Sequence, residues 1–170
     1  PWLRELYTCA DNSSVILNLA ADDPDIFLRV WEPEIIISPV YQIDEEEILI
    51  VTNRESPIQN LTLAQAQELF AQGNDSAKVW VYASDADVQI VFDQLVMKGR
   101  SVTSFAGLAT SPQQMSDLIN AEKDVVGILP THWMTGNVRE VFSAGTVPVL
   151  AITKEEPQGA VKELISCLQK

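Results

Sequence analysis

The apolar run Ile48-Leu49-Ile50-Val51 ends at polar Thr52-Asn53, and a Pro-containing loop leads on to Thr62. From Thr62 the apolar positions Leu63, Ala66, Leu69 and Phe70 recur at helical spacing. A short strand feeding an amphipathic helix, repeated along a chain, restricts the topology severely. Parallel strands can be joined only through crossover connections, so the fold class expected here is α/β with a mainly parallel sheet and flanking helices.

The rest of the chain continues the pattern. Upstream, Val15 to Leu19 reads as a buried strand and Ala21 to Asp25 as an acidic turn. Ile26 to Val30, Ile35 to Tyr41 and Glu47 to Thr52 read as strands, with Asp44 to Glu47 forming an exposed charged hairpin. Trp2 to Leu6 fits either one helical turn or an extended start. Downstream, Gly73-Asn74-Asp75 stops the helix that Thr62 opens, and Lys78 to Tyr82 is a strand. Ser84 or Asp85 caps a helix with Val88, Val91, Phe92, Leu95 and Val96 on one face. Val102 to Leu108 is ambiguous. Ser111 with Pro112 starts a helix that runs towards Glu122, Val125 to Leu129 and Thr146 to Thr153 are strands, and Gly159 or Ala160 to Leu168 is a closing helix.

Charge narrows the function classes. The 170 residues hold 24 acidic and 11 basic side chains, a net charge of −13. Affinity for nucleic acid or anionic lipid needs clustered Lys and Arg, and the basic residues here are scattered. The field favours cations over phosphate-like ligands. No apolar run reaches the roughly 18 residues of a membrane span. The chain opens on Pro1 with no leader, which reads as a processed or trimmed form. Two cysteines, Cys9 and Cys167, allow one disulfide or two unpaired buried thiols.

The Glu47–Phe70 stretch resembles the hinge and first helix of the second lobe in type II periplasmic binding proteins. It is most similar to the phosphate-binding components of ABC transporters. That family follows a strand ending near V-x-N with P-I-x-x-L-T and a helix closing in L-F. Here these are Val51-Thr52-Asn53, Pro57-Ile58-Gln59-Asn60-Leu61-Thr62 and Leu69-Phe70. Asp117-Leu118-Ile119 through Asp124-Val125-Val126-Gly127-Ile128-Leu129 keeps the family's later order, and Pro24-Asp25-Ile26 looks like its first-lobe strand, so the resemblance covers residues 25 to 168.

The resemblance implies two lobes, a reduced first one over 1–52 with 146–170 and a second over 53–145. It implies an extracytoplasmic protein, periplasmic, secreted or lipid-anchored, that binds a solute in an inter-lobe cleft and delivers it to a membrane transporter, without cofactor or catalysis. Export in turn implies the Cys9–Cys167 disulfide.

Two departures qualify what is bound. Too few residues precede Asp25 for the family's usual first-lobe opening, so that lobe is pared down or completed elsewhere. The Ser-Gly-Thr loop that cradles phosphate is replaced by Ala83-Ser84-Asp85-Ala86-Asp87, whose carboxylates repel an oxyanion. The expected ligand is then a cation or a hydrogen-bonding neutral molecule. Family position nominates Ser84, Asp85, Thr131 and Trp133, with Arg29 and Ser38 from the first lobe.

Other constellations carry less. His132 has no sequence-local partner for a metal site, and Asp22-Asp23-Pro24-Asp25 lacks the ligand alternation of a calcium loop. No G-x-S-x-G, H-E-x-x-H, P-loop or G-x-G-x-x-G is present, so no enzymatic activity is expected. The alternative from another class is a protein-interaction or signalling module on a degenerate binding-protein scaffold.

Overall fold

The computed structural model describes residues 2–19, 22–31, 37–73 and 76–169. The chain divides into two compact units. The first joins Pro1–Glu46 to Val147–Lys170, and the second is Glu47–Thr146.

In the second unit, α2 (Leu63–Gln72) begins where expected, because Thr62 and Gln65 form a reciprocal capping box. It ends at Gly73, whose φ of 73° suits a residue without a side chain. β3 (Lys78–Val81) leads into α3 (Asp87–Phe92), which continues as a π-helical turn over Asp93–Met97. The two-residue strand β4 (Gly107–Leu108) is all that forms in the ambiguous Val102–Leu108 stretch. α4 (Pro112–Ala121) has Ser111 as N-cap and Pro at its first position, and β5 (Val125–Pro130) follows, buried throughout.

β3 pairs in parallel with both β4 and β5, and β5 pairs antiparallel with β2 (Val40–Asn53). Gly127 on β5 lets α4 pack close, since a Cβ there would overlap the Met115 sulfur and force that side chain to shift. The core gathers Phe70 from α2 and Phe92 from α3, ring centroids 4.6 Å apart, with Ile48 to Val51 and Val125 to Leu129.

The first unit is thinner. α1 (Trp2–Asn12) is a full helix, longer than the single turn considered from sequence. β1 (Ile26–Val30) pairs antiparallel with the end of β6 (Val138–Thr153), from Ile26 opposite Thr153 to Val30 opposite Val149. Ile26, Leu28 and Val30 pack with Val149, Ala151 and Ile165, the last from α5 (Gly159–Leu168). Cys9 and Cys167 are disulfide-bonded, their Cα atoms 5.7 Å apart, and the bond fastens α1 to α5.

Four expectations about the strands and their connections fail. The strand read over Ile35 to Tyr41 is irregular at Ile37 to Pro39 and becomes extended only at Val40, as the start of β2. Val15 to Leu19 is no strand: Val15 donates its N–H to Ala10 O and so closes α1. Nor is the segment buried throughout: Val15 and Leu17 pack on Cys9, Ala10 and Leu164, while Ile16 stays 96% exposed. The charged hairpin at Asp44–Glu47 is also absent. β2 passes straight through, side-chain alternation slipping once where Asp44 and Glu45 are both exposed and Glu46 is buried. Finally, β6 starts at Val138 and not at Thr146. The expected features at Ala21, Ile35-Ile36 and Asn74-Asp75 lie outside the described residues.

Candidate functional site at the strand carboxyl ends

β5 and β4 flank β3, so the crossovers from β3 to β4 and from β4 to β5 run in opposite directions across the sheet. Right-handed connections then place α3 and α4 on opposite faces. The crevice at such a reversal, beyond the strand carboxyl ends, is where open α/β sheets take ligands. Two turns stand there, Tyr82–Asp87 after β3 and Thr131–Met134 after β5.

The first turn is fixed from below. The buried Gln89 side chain accepts the Tyr82 N–H at 3.0 Å, and Ala86 N–H donates to Ala83 O, closing a tight turn. Ser84 and Asp85 are its two central residues, both exposed. Neither caps α3, contrary to the sequence expectation. The N-cap is Ala86, extended in backbone and without a side-chain bond to the helix. The turn consumes the residues that would otherwise cap, and leaves Ser84 and Asp85 without a hydrogen-bond partner among the described residues.

The Tyr82 phenol is buried beneath this turn and donates to Ile128 O at 2.7 Å, tying β3 to β5. Burial pushes its pKa well above the ordinary phenol value. Gln89 also donates to Asp93 Oδ1 at 2.9 Å. Partial burial raises the Asp93 carboxyl, and the bond from Gln89 opposes that shift.

The second turn is a 3₁₀ segment, Thr131–Trp133, with Thr131 and His132 exposed and Trp133 half-buried. Thr131 Oγ1 donates to Glu47 O at 3.1 Å, and the Glu47 carboxylate accepts from Ser143 Oγ at 2.6 Å. Glu47 and Ser143 were not foreseen. The signal was weak: Glu47 sits at the end of an acidic run that reads as a solvated turn, and Ser143 lies in the unrecognised half of β6.

Ser84, Asp85, Thr131 and Trp133 therefore lie beyond the carboxyl ends of two adjacent parallel strands. Arg29 and Ser38 belong to the first unit, Arg29 exposed on β1 opposite Leu150 and Ser38 half-buried ahead of β2. Among the described residues no cluster of His, Cys, Asp or Glu is arranged to hold a metal ion, and no helix is long and apolar enough to cross a membrane.

The fold is that of the type II periplasmic-binding-protein-like domains, a class shared by solute receptors and regulatory domains. A Clostridium perfringens putative phosphate ABC transporter substrate-binding protein with bound phosphate aligns at a TM-score of 0.74 and 17% identity, over 85% of this chain and 72% of that one. An ABC-type phosphate transport receptor from Vibrio cholerae aligns at 0.65 and 18%, over 86% and 74%. CbnR, a LysR family transcriptional regulator, aligns at 0.63 and 12%, over 99% of this chain and 64% of its own. No family model and no curated protein matches the sequence.

Proposed function

We propose that this chain is an extracytoplasmic solute-binding domain for an ABC-type transporter, and that its ligand is a small neutral or cationic polar molecule, not phosphate. The observation that carries this reading is the Ala83–Ala86 turn. It presents a hydroxyl and a carboxylate, Ser84 and Asp85, outward beyond β3 and leaves both uncommitted among the described residues. A carboxylate there attracts an ammonium or accepts from hydroxyl and amide donors, and repels an oxyanion. Thr131 and Trp133 add a hydroxyl and an aromatic face next to it. The Cys9–Cys167 bond accords with an oxidising compartment outside the cytoplasm.

A thermal-shift panel of inorganic phosphate, divalent cations, amino acids, sugars and polyamines tests it. A ligand at 100 times its Kd adds about 2.7 kcal/mol. The expected result is a raised Tm with a cationic or neutral solute, abolished in Asp85→Ala and weakened in Trp133→Ala. A phosphate-induced shift that survives Asp85→Ala would overturn the reading.

The second reading, a sensing or protein-interaction module, draws on the regulator CbnR, whose alignment takes in 99% of this chain against 86% for the Vibrio receptor. Silence across the panel from a cooperatively folded protein would favour it.

A further inference from the structure

A cavity of about 540 Å³ opens at the amino-terminal ends of β3 and β4, the opposite end of β3 from Ser84 and Asp85. Its wall includes Trp80 from β3, Gly107 from β4, Gln72 from the end of α2, and the turn that carries Thr103 and Phe105. That volume lies within the range of small-molecule sites.

Two features make it a built site for a ring. Trp80 and Gly107 are directly paired across the ladder, and a Cβ at Gly107 would overlap the Trp80 indole. Only glycine lets the indole lie down on the edge strand, and this braces it. Phe105 is then held at the tip of a turn: its N–H donates to Thr103 Oγ1 at 3.4 Å, and Ala106 N–H donates to Thr103 O at 3.1 Å. Thr103 in turn is anchored through its own N–H to Phe70 O at 2.8 Å. The Phe105 ring is 94% exposed while lining the same cavity as Trp80.

Charge selects among rings. Lys78 lines the cavity, but its ammonium is engaged by Glu122 at 3.0 Å and Asp124 at 3.1 Å. Lys78 is the one charged group among the described lining residues, so an anion finds no uncommitted cation there. The cavity thus has aromatic faces, an amide and a hydroxyl for polar contact, and no uncommitted cation for an anion, in a chain whose net charge of −13 disfavours anions generally.

We propose that this cavity binds a planar aromatic ligand of neutral or positive charge, received between Trp80 and Phe105. The site is separate from the one assigned to the β3 and β5 carboxyl ends, and stands whether or not that assignment does.

Three probes with one ring system and three charges test it: tryptamine, indole and indole-3-acetate, each titrated into the ¹⁵N-labelled protein. Tryptamine and indole should give saturable shifts at the Trp80 indole N–H and the Phe105 and Gly107 amides. Indole-3-acetate should bind at least fivefold more weakly than tryptamine. Phe105→Ala removes an exposed ring and should leave the Tm unchanged while weakening tryptamine about fivefold. Gly107→Ala, which keeps both rings but displaces the indole, should weaken it as well. Shifts centred on Ser84, Asp85 and Thr131 instead, an unchanged affinity in folded Phe105→Ala, or tightest binding by indole-3-acetate would each overturn the proposal.

Discussion

In the second unit, Ile48 to Asn53 on β2 and Val125 to Pro130 on β5 are buried without a break. In the first, β1 buries every other residue only partly, Phe27 is 45% exposed and Tyr7 50%. The first unit carries the disulfide, between the helices that cover it. Strands buried on both faces supply cohesion through apolar area, whereas a small layer with one covered face buries too little to stand alone and gains from a covalent tie. Two halves of one chain are thus stabilised by different physics.

That contrast can be broken at its strong end first. Phe92→Ala, which deletes a fully buried ring packed on Phe70, should cost about 3–5 kcal/mol in urea unfolding. A loss below about 1 kcal/mol would mean that the second unit's core is less decisive than its burial suggests.

Next comes the staple. Replacing Cys9 and Cys167 by Ala should cost about 2–5 kcal/mol, given the 158-residue separation that the bond closes. Hydrogen exchange sharpens the comparison. Amides of α1 and α5 should lose protection in the variant while those of β5 keep theirs. Equal loss in both would show that the two units do not differ in what stabilises them.

The smallest effect is at Tyr82. Tyr82→Phe removes the bond to Ile128 O and should cost about 1 kcal/mol at neutral pH. Burial raises the folded phenol's pKa, so the folded protein holds a proton that the unfolded chain releases near pH ~10. Stability is therefore complete below that pH and falls as pH rises through it. The Phe variant should show a shallower alkaline decline in Tm. An unchanged decline would mean that Tyr82 ionises freely in the folded state.

The second unit was also the more legible in sequence. Thr62, Gly73, Ser111 and Pro112 act through their own backbone neighbourhood, and local chemistry of this kind is written in a few adjacent residues. The misreadings came where a distant partner decided the outcome. Val15 to Leu19 has the apolar run of a buried strand and finds no ladder, because Val15 and Leu17 pack on a helix pair instead. Asp44 to Glu47 has the charge of a turn, yet the chain continues extended, with Glu46 buried. At the candidate site, Ser84 and Asp85 could be placed beyond a strand from sequence. That they would miss the helix cap depended on Gln89 reaching back to Tyr82, which no local pattern announces. Glu47 and Ser143 meet 96 positions apart and leave no trace in either segment.

The bond between Cys9 and Cys167 also orders events in time. One cysteine is made near the beginning of this stretch of chain and the other only after the whole of Glu47–Thr146 has been synthesised. The second unit is contiguous and can form as it emerges, whereas the first must hold its opening helix in waiting until α5 arrives. During that interval Cys9 has no partner thiol within this stretch of chain and is open to mispairing with other proteins. The bond can thus close only after the whole second unit has been synthesised, and a protease that later nicks the chain once between the two cysteines releases nothing, because the fragments remain one covalent molecule until a reductant separates them.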